Sequence, residues 1–136
     1  MTGRTAQLSV GAVVVDDERL LLVRRKHGPG AGHWAVPGGR LEPDELLQEA
    51  VVRELAEETG LEGVCGALIG WVELVTDDRH DVILDFRVDL LEFAQPVAAT
   101  DVTDARWFPL SDVAELPLAP GLAEFLHDHK IIATIT

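Results

Sequence analysis

The chain has 136 residues, 47% of them hydrophobic, and its 24 acidic against 11 basic side chains give a formal charge of −13. That length suits one domain, residues 1–136, with enough apolar material for a sizeable core. The acidity argues against a polymeric nucleic acid as partner, since such binding replaces counterions with a basic surface, but it leaves room for a nucleotide that meets or brings a metal ion.

Cys65 is the only cysteine, so no intramolecular disulfide forms, and a reducing compartment is compatible with the chain. The N-terminus shows no basic stretch followed by an apolar run, and no segment approaches about 18 unbroken apolar residues. A cytoplasmic protein with no membrane partner is expected.

In chain order, Leu8 to Val15 is β-branched and apolar, Asp16, Asp17 and Glu18 interrupt it, and Leu20 to Val23 resumes it. The pattern predicts two strands joined by a short polar turn, with both faces covered. Arg24, Arg25, Lys26 and His27 follow as the densest basic cluster in an acidic chain. They suit either a solvated strand end or a phosphate contact. Gly28 to Gly32 reads as a loop. Trp34 fits packing better than base stacking. Pro37, Gly38 and Gly39 predict a turn where backbone approaches a ligand without Cβ interference, and Glu42 is placed to support it.

The stretch from Gly39 to Leu61 carries the chemistry. Pro43, Asp44 and Glu45 suit a first helical turn and Gly60 suits a left-handed stop, so a helix over Asp44 to Thr59 is predicted. At about 100° per residue, Leu47, Val51 and Leu55 form the inward stripe, and Glu54 and Glu58 project within roughly 60° of its centre with Glu57 beside them. These acids crowd the last turn, where the helix dipole disfavours them. Arg53 projects from nearly the opposite side to Val51 and is expected to hold only part of that charge. A divalent cation is the better compensation, because Mg²⁺ prefers carboxylate oxygens and is completed by water and substrate phosphates.

Further on, Val64 to Val75 and Val82 to Phe93 predict two strands around the polar stretch Thr76 to Asp81, with Asp85, Arg87 and Asp89 marking a wet face. In the run Asp104 to Leu110, Trp107 and Phe108 suit packing. A last helix is expected over about Gly121 to His129, on which His127 and His129 lie about 200° apart and share no metal site. The apolar tail Ile131 to Thr136 suits an edge strand or a contact with a second subunit, as in a homodimer.

Gly39, Glu45, Arg53, Glu54, Leu55, Glu57, Glu58, Gly60 and Leu61 match G-x5-E-x7-R-E-U-x-E-E-x-G-U, where U is a bulky aliphatic residue. With that pattern the chain resembles the Nudix (MutT-like) hydrolases. The resemblance implies an α/β fold with a mixed sheet between helices, and a Mg²⁺- or Mn²⁺-dependent pyrophosphohydrolase. The substrate would be a nucleoside diphosphate linked to another moiety, of nucleoside triphosphate or ADP-ribose type. The alternative is a non-catalytic nucleotide-sensing domain that regulates a partner. Glu54, Glu57, Glu58 and the Gly39 carbonyl would hold metal, Arg53 would orient the carboxylates, and Glu45 would brace loop and helix. Glu54, Glu57 or an acid outside the motif would take the proton from water, Asp77, Asp78, Asp81, Asp85 and Glu92 being open candidates. Arg24 or Arg25 would face the substrate from the end of the second strand. Asp44 stands where many members have glycine, which bears on the loop and not on the chemistry.

Overall fold

The computed structural model describes residues 5–27 and 30–133. In chain order the strands are β1 (Gln7–Val13), β2 (Val15–Asp16), β3 (Arg19–Arg25), β4 (Trp34–Ala35) and β5 (Gly38–Arg40). Helix α1 (Leu47–Thr59) follows, then β6 (Gly63–Val75), β7 (His80–Leu90), β8 (Val102–Pro109), α2 (Leu110–Val113) and α3 (Leu122–Asp128).

One sheet has the order β5-β1-β7-β6 and is mixed, because β1 runs parallel to β7 while the other pairs are antiparallel. In the second sheet β3 pairs antiparallel with β2, β4 and β8. The first apolar run is thus divided between the sheets. Asp17 and Glu18, at φ 51° and 58°, make the two-residue turn between β2 and β3, where both central residues need positive φ.

The continuous apolarity of these strands has the expected cause. Val10, Ala12, Val14 and Leu21 join Val51, Leu55, Phe86 and Val88 in a core under α1. Val13, Leu20 and Leu22 instead join Trp34, Val113, Phe125 and Leu126 in a core under α2 and α3. Alternate residues of β1 and β3 therefore feed opposite sides, and the stretches Val10 to Val14 and Leu20 to Val23 carry no polar side chain.

Four expectations need correction. Pro37 to Gly39 does not form a turn: Gly38 and Gly39 lie in β5, opposite Gly11 and Val10 of β1. The glycines permit close approach all the same, since a Cβ on Gly38 would stand 2.1 Å from the Val10 carbonyl oxygen. Helix α1 begins at Leu47 rather than Asp44, because Asp44 takes a left-handed φ of 63° and Glu45 N–H turns back to the Glu42 carbonyl. That backbone explains why glycine suits position 44, and Asp is among the residues that tolerate it. On β7, Arg87 and Asp89 are exposed, but Asp85 is only 2% exposed and does not belong to a wet face. At the C-terminus Ile131 to Ala133 form no strand and Ile132 is buried in the core; residues 134–136 lie outside the described residues, as do Gly28 and Pro29 of the glycine loop.

Trp34 is buried and meets Phe108 edge-on at 4.8 Å, while Trp107 stacks on Phe93 and donates its indole N–H to the Ala94 carbonyl, so all three aromatics pack as expected. Among the described residues no helix is long and apolar enough to cross a membrane.

The two left-handed residues that bracket the helix make a paired test. Gly60, at φ 75°, closes α1. Gly60→Ala should lose about 1 kcal/mol, several degrees of melting temperature in a chain of this size. Asp44→Gly should lose nothing, because the residue it replaces already bears the left-handed strain. Equal destabilisation by both variants would refute this account of the helix ends.

Candidate active site

Strand β5 and the last turns of α1 face each other, and most of the predicted site residues meet there. The Glu54 carboxylate lies against Gly39, where a Cβ would stand 2.7 Å from it. Glu58, 3% exposed, accepts the Gly38 N–H at 2.9 Å. Glycine at 39 is therefore required by the carboxylate above it, and the Gly38 amide has a side-chain partner.

Arg53 gathers far more charge than its place on the helix wheel suggests. Nε and Nη2 donate to the two oxygens of Glu45 at 2.6 and 2.9 Å, a bidentate fork. Nη1 donates to Glu54 at 2.8 Å and Glu57 at 3.2 Å, Nη2 to the Arg40 carbonyl at 3.0 Å, and Glu42 lies 3.3 Å from Nε. The loop before α1 folds back along the helix and brings Glu42, Glu45 and the Arg40 carbonyl within reach. Helix geometry alone could not show this.

The acids consequently differ. Arg53, then the Glu42 N–H, hold Glu45 down to about 2, and Glu45 in turn holds Arg53 further above its ordinary range. Burial raises Glu54, outweighing the pull of Arg53. Burial pushes Glu58 up to about 7 against the opposing charge of Arg25 and the Gly38 N–H. Glu57 is the most exposed of the three, its side chain 57% accessible.

The acids do not crowd into one ready-made cage. Among the described residues no three Asp, Glu, His or Cys side chains converge as a metal site. Arg53 draws Glu54 and Glu57, and Glu58 turns to Gly38. The donor chemistry nevertheless fits a hard divalent cation: all donors are oxygens, and the half-buried Glu54 and buried Glu58 are partly desolvated acids whose shared surroundings favour added positive charge.

The basic cluster is divided by the alternation of β3. Arg25 donates to the Gly38 carbonyl at 3.3 Å and lines a cleft of about 470 Å³ together with Gly39. Arg24 points elsewhere, its guanidinium 4.7 Å above the Trp34 ring and 3.8 Å from Asp104. Neighbours on a strand face opposite sides, and the register of β3 against β8 shifts between Arg24 and Arg25. The same cleft holds Arg40, His27, Asp81 and Asp85, and Arg79, whose fork is engaged by Asp81 at 3.0 Å through two bonds.

Sequence reasoning left Asp85 unselected among five acids. It is buried, its Oδ1 has no hydrogen-bond partner among the described residues, and burial pushes it up to about 7. The available signal was glycine inside strand-forming sequence at Gly11 and Gly70, which marks a close approach. A Cβ on Gly11 would stand 2.0 Å from Asp85 Oδ1.

Glu58 and Asp85 give a signed pH dependence. Both have folded pKa values near 7, above their ordinary 4.5 and 3.8, so the native state binds these protons more tightly than the unfolded chain. Their contribution to stability is complete below about pH 4 and is lost as pH rises through about 7. Glu45, held at about 2, acts only at lower pH and with the opposite sign. In metal-free buffer the melting temperature should fall from about pH 5 to pH 8, and Asp85→Asn or Glu58→Gln should each flatten the fall. A slope unchanged in both variants would contradict the burial of these acids. Arg53→Lys keeps the charge but loses the fork, and a calorimetric melt should show a loss of about 1–2 kcal/mol.

Comparison with known proteins agrees with this architecture. A family model described as the NUDIX domain matches residues 5–129. The chain is 33% identical over 111 residues to an ADP-ribose pyrophosphatase of Methanocaldococcus jannaschii, a match spanning 80% of this chain and 65% of that protein. It is 30% identical over 113 residues to a CTP pyrophosphohydrolase of Escherichia coli K12, spanning 82% of each. The crystal structure of a MutT protein from Methanosarcina mazei Go1 superposes with a TM-score of 0.85 at 26% identity, covering 96% of this chain and 97% of that one. The facing of β5 and α1, a mixed sheet between helices, and a family match over most of its length place this chain in the Nudix hydrolase family.

Proposed function

We propose that the protein is a metal-dependent pyrophosphohydrolase acting on a nucleoside diphosphate linked to another moiety, a nucleoside triphosphate or an ADP-ribose type compound. The observation that carries this reading is the pair of α1 acids, the half-buried Glu54 and the buried Glu58, set against the Gly38–Gly39 strand beside a cleft that presents Arg25. The relatives named as ADP-ribose and CTP pyrophosphatases support the same bond type.

In this reading Glu54, Glu57, Glu58 and the Gly39 carbonyl hold Mg²⁺ or Mn²⁺. The cation, when bound, neutralises phosphate oxygens and acidifies water, which is what phosphoanhydride hydrolysis lacks in solution. Arg53 sets the rotamers of Glu54 and Glu57 and is itself held by Glu45, so it is a positioning residue. Arg25 meets a phosphate at the cleft wall. Arg24 is committed to Trp34 and Asp104, so the substrate contact falls to Arg25. Glu54 or Glu57 takes the proton of the attacking water.

The test is product release across nucleoside triphosphates, ADP-ribose, dinucleoside polyphosphates and nucleotide sugars, with Mg²⁺, Mn²⁺ or chelator. One class should be turned over, and chelator should stop it. Glu57→Gln, at an exposed position, should keep the melting profile and lose at least about a hundredfold in kcat. Near-normal turnover in that variant would remove Glu57 from the metal set. Nucleotide-induced stabilisation without turnover of any compound would instead establish the sensing alternative.

A further inference from the structure

The C-terminal end of α1 is unfavourable by its own composition. Its last turn carries Glu57 and Glu58 and no basic side chain, where the dipole is negative and the final carbonyls have no partner within the helix. Gly60 N–H satisfies the Ala56 carbonyl at 2.9 Å. Two further carbonyls are served from outside: Val97 N–H donates to Thr59 at 2.9 Å and Ala99 N–H to Glu58 at 3.2 Å.

Both donors belong to residues 91–101, a strap between β7 and β8 that forms neither helix nor strand. The strap is fastened at either end. At its start Leu91 N–H donates to the Glu62 carbonyl at 3.0 Å, and Phe93 stacks on Trp107 at 5.3 Å with the Arg19 guanidinium 4.8 Å from the Phe93 ring. At its close the Asp101 carbonyl accepts Lys26 N–H at 3.3 Å. Between these anchors the Val97 side chain is 73% exposed, so the strap meets the helix there through its amide and not through apolar burial. Glu58 is thereby held at both ends, its carboxylate by Gly38 N–H of β5 and its main-chain carbonyl by Ala99 N–H.

We infer that the strap is a positioning element of the metal site: the Val97 and Ala99 amides fix the last turn of α1, and the Phe93–Trp107 stack holds those amides in place. This rests on the metal-dependent reading above. A helix end without donors for its carbonyls turns them to water and frays. Fraying here displaces Glu57 and Glu58 together, and a small divalent cation that demands near-ideal geometry loses affinity when its carboxylates move. The amides also bring partial positive charge to a helix end crowded with acids.

The experiment measures Mn²⁺ binding to the full chain by calorimetry, beside thermal melts in chelator and the Mn²⁺ dependence of turnover. Proline at 97 or 99 removes the N–H. Val97→Pro and Ala99→Pro should each weaken Mn²⁺ binding about tenfold, while Val97→Ala, which keeps the amide, stays within about twofold of the wild type. Phe93→Ala keeps both amides but loses the anchor, and it should weaken Mn²⁺ binding in the same direction. Turnover of all three weakened variants should recover as Mn²⁺ is raised, with the nucleotide KM unchanged, which a general loss of folding does not produce. Wild-type affinity in a proline variant that melts cooperatively overturns the inference, as does an equal loss in Val97→Ala and Val97→Pro. If neither proline variant folds, Phe93→Ala decides, and wild-type affinity there overturns it. A wild-type chain that binds no Mn²⁺ removes the metal reading itself, a result distinct from binding that every variant keeps.

Discussion

The guanidinium of Arg53 is the interaction on which the site depends. One planar group with five donors meets Glu45 through a fork, Glu54, Glu57 and the Arg40 carbonyl by single bonds, and Glu42 as an ion pair. Lysine could offer a point charge to some of these partners, but its three donors do not form a flat fork. The geometry fastens the loop before α1 to the helix itself. It also brings carboxylates together at the helix end where the dipole favours cations. Without Arg53 those acids would repel one another and the loop would have no anchor.

The acids of the region fall into two kinds because their surroundings differ, although their sequence letters do not. Glu45 is paired and stays ionised to low pH, so its role is to hold. Glu54 and Glu58 are desolvated, and Glu58 lies closest to neutrality in its folded environment. Their positions against Gly39 and the Gly38 amide bring them to the backbone of an edge strand. Buried acids beside unobstructed backbone are poor structural choices and good metal-binding ones. Stability is spent here, and the two apolar cores on either side of β1 and β3 hold the strands firm enough to bear it.

Glycine does a second kind of work in the mixed sheet. Gly60 supplies a left-handed helix end, a role that sequence pattern often reveals. Gly38, Gly39 and Gly11 instead supply missing side chains, leaving room for a neighbouring backbone, for Glu54 and for Asp85. The first role depends on local φ. The second depends on what another element places above the residue, and β5, β1, β7 and α1 must all be assembled before it exists.

What the sequence determined by itself was local or periodic. The acidic motif with its spacing identified the helix, its C-terminal glycine and the family. The unbroken apolarity of Leu8 to Val15 and Leu20 to Val23 announced strands covered on both faces, and the aromatics Trp34, Trp107 and Phe108 were readable as packing residues. Tertiary structure decided the rest. The helix start moved to Leu47 because Asp44 turns left-handed, and Arg53 met more acids than the wheel allowed because the loop folds back on it. Arg25 and Arg24 parted because strand neighbours face opposite sides of a sheet. Asp85 left the wet face that Arg87 and Asp89 keep because its carboxyl fills the space over Gly11, the glycine paired with it on the parallel strand β1. Periodicity records which side of an element a residue occupies; what covers that side is set by chain segments remote in sequence, and no local pattern contains them.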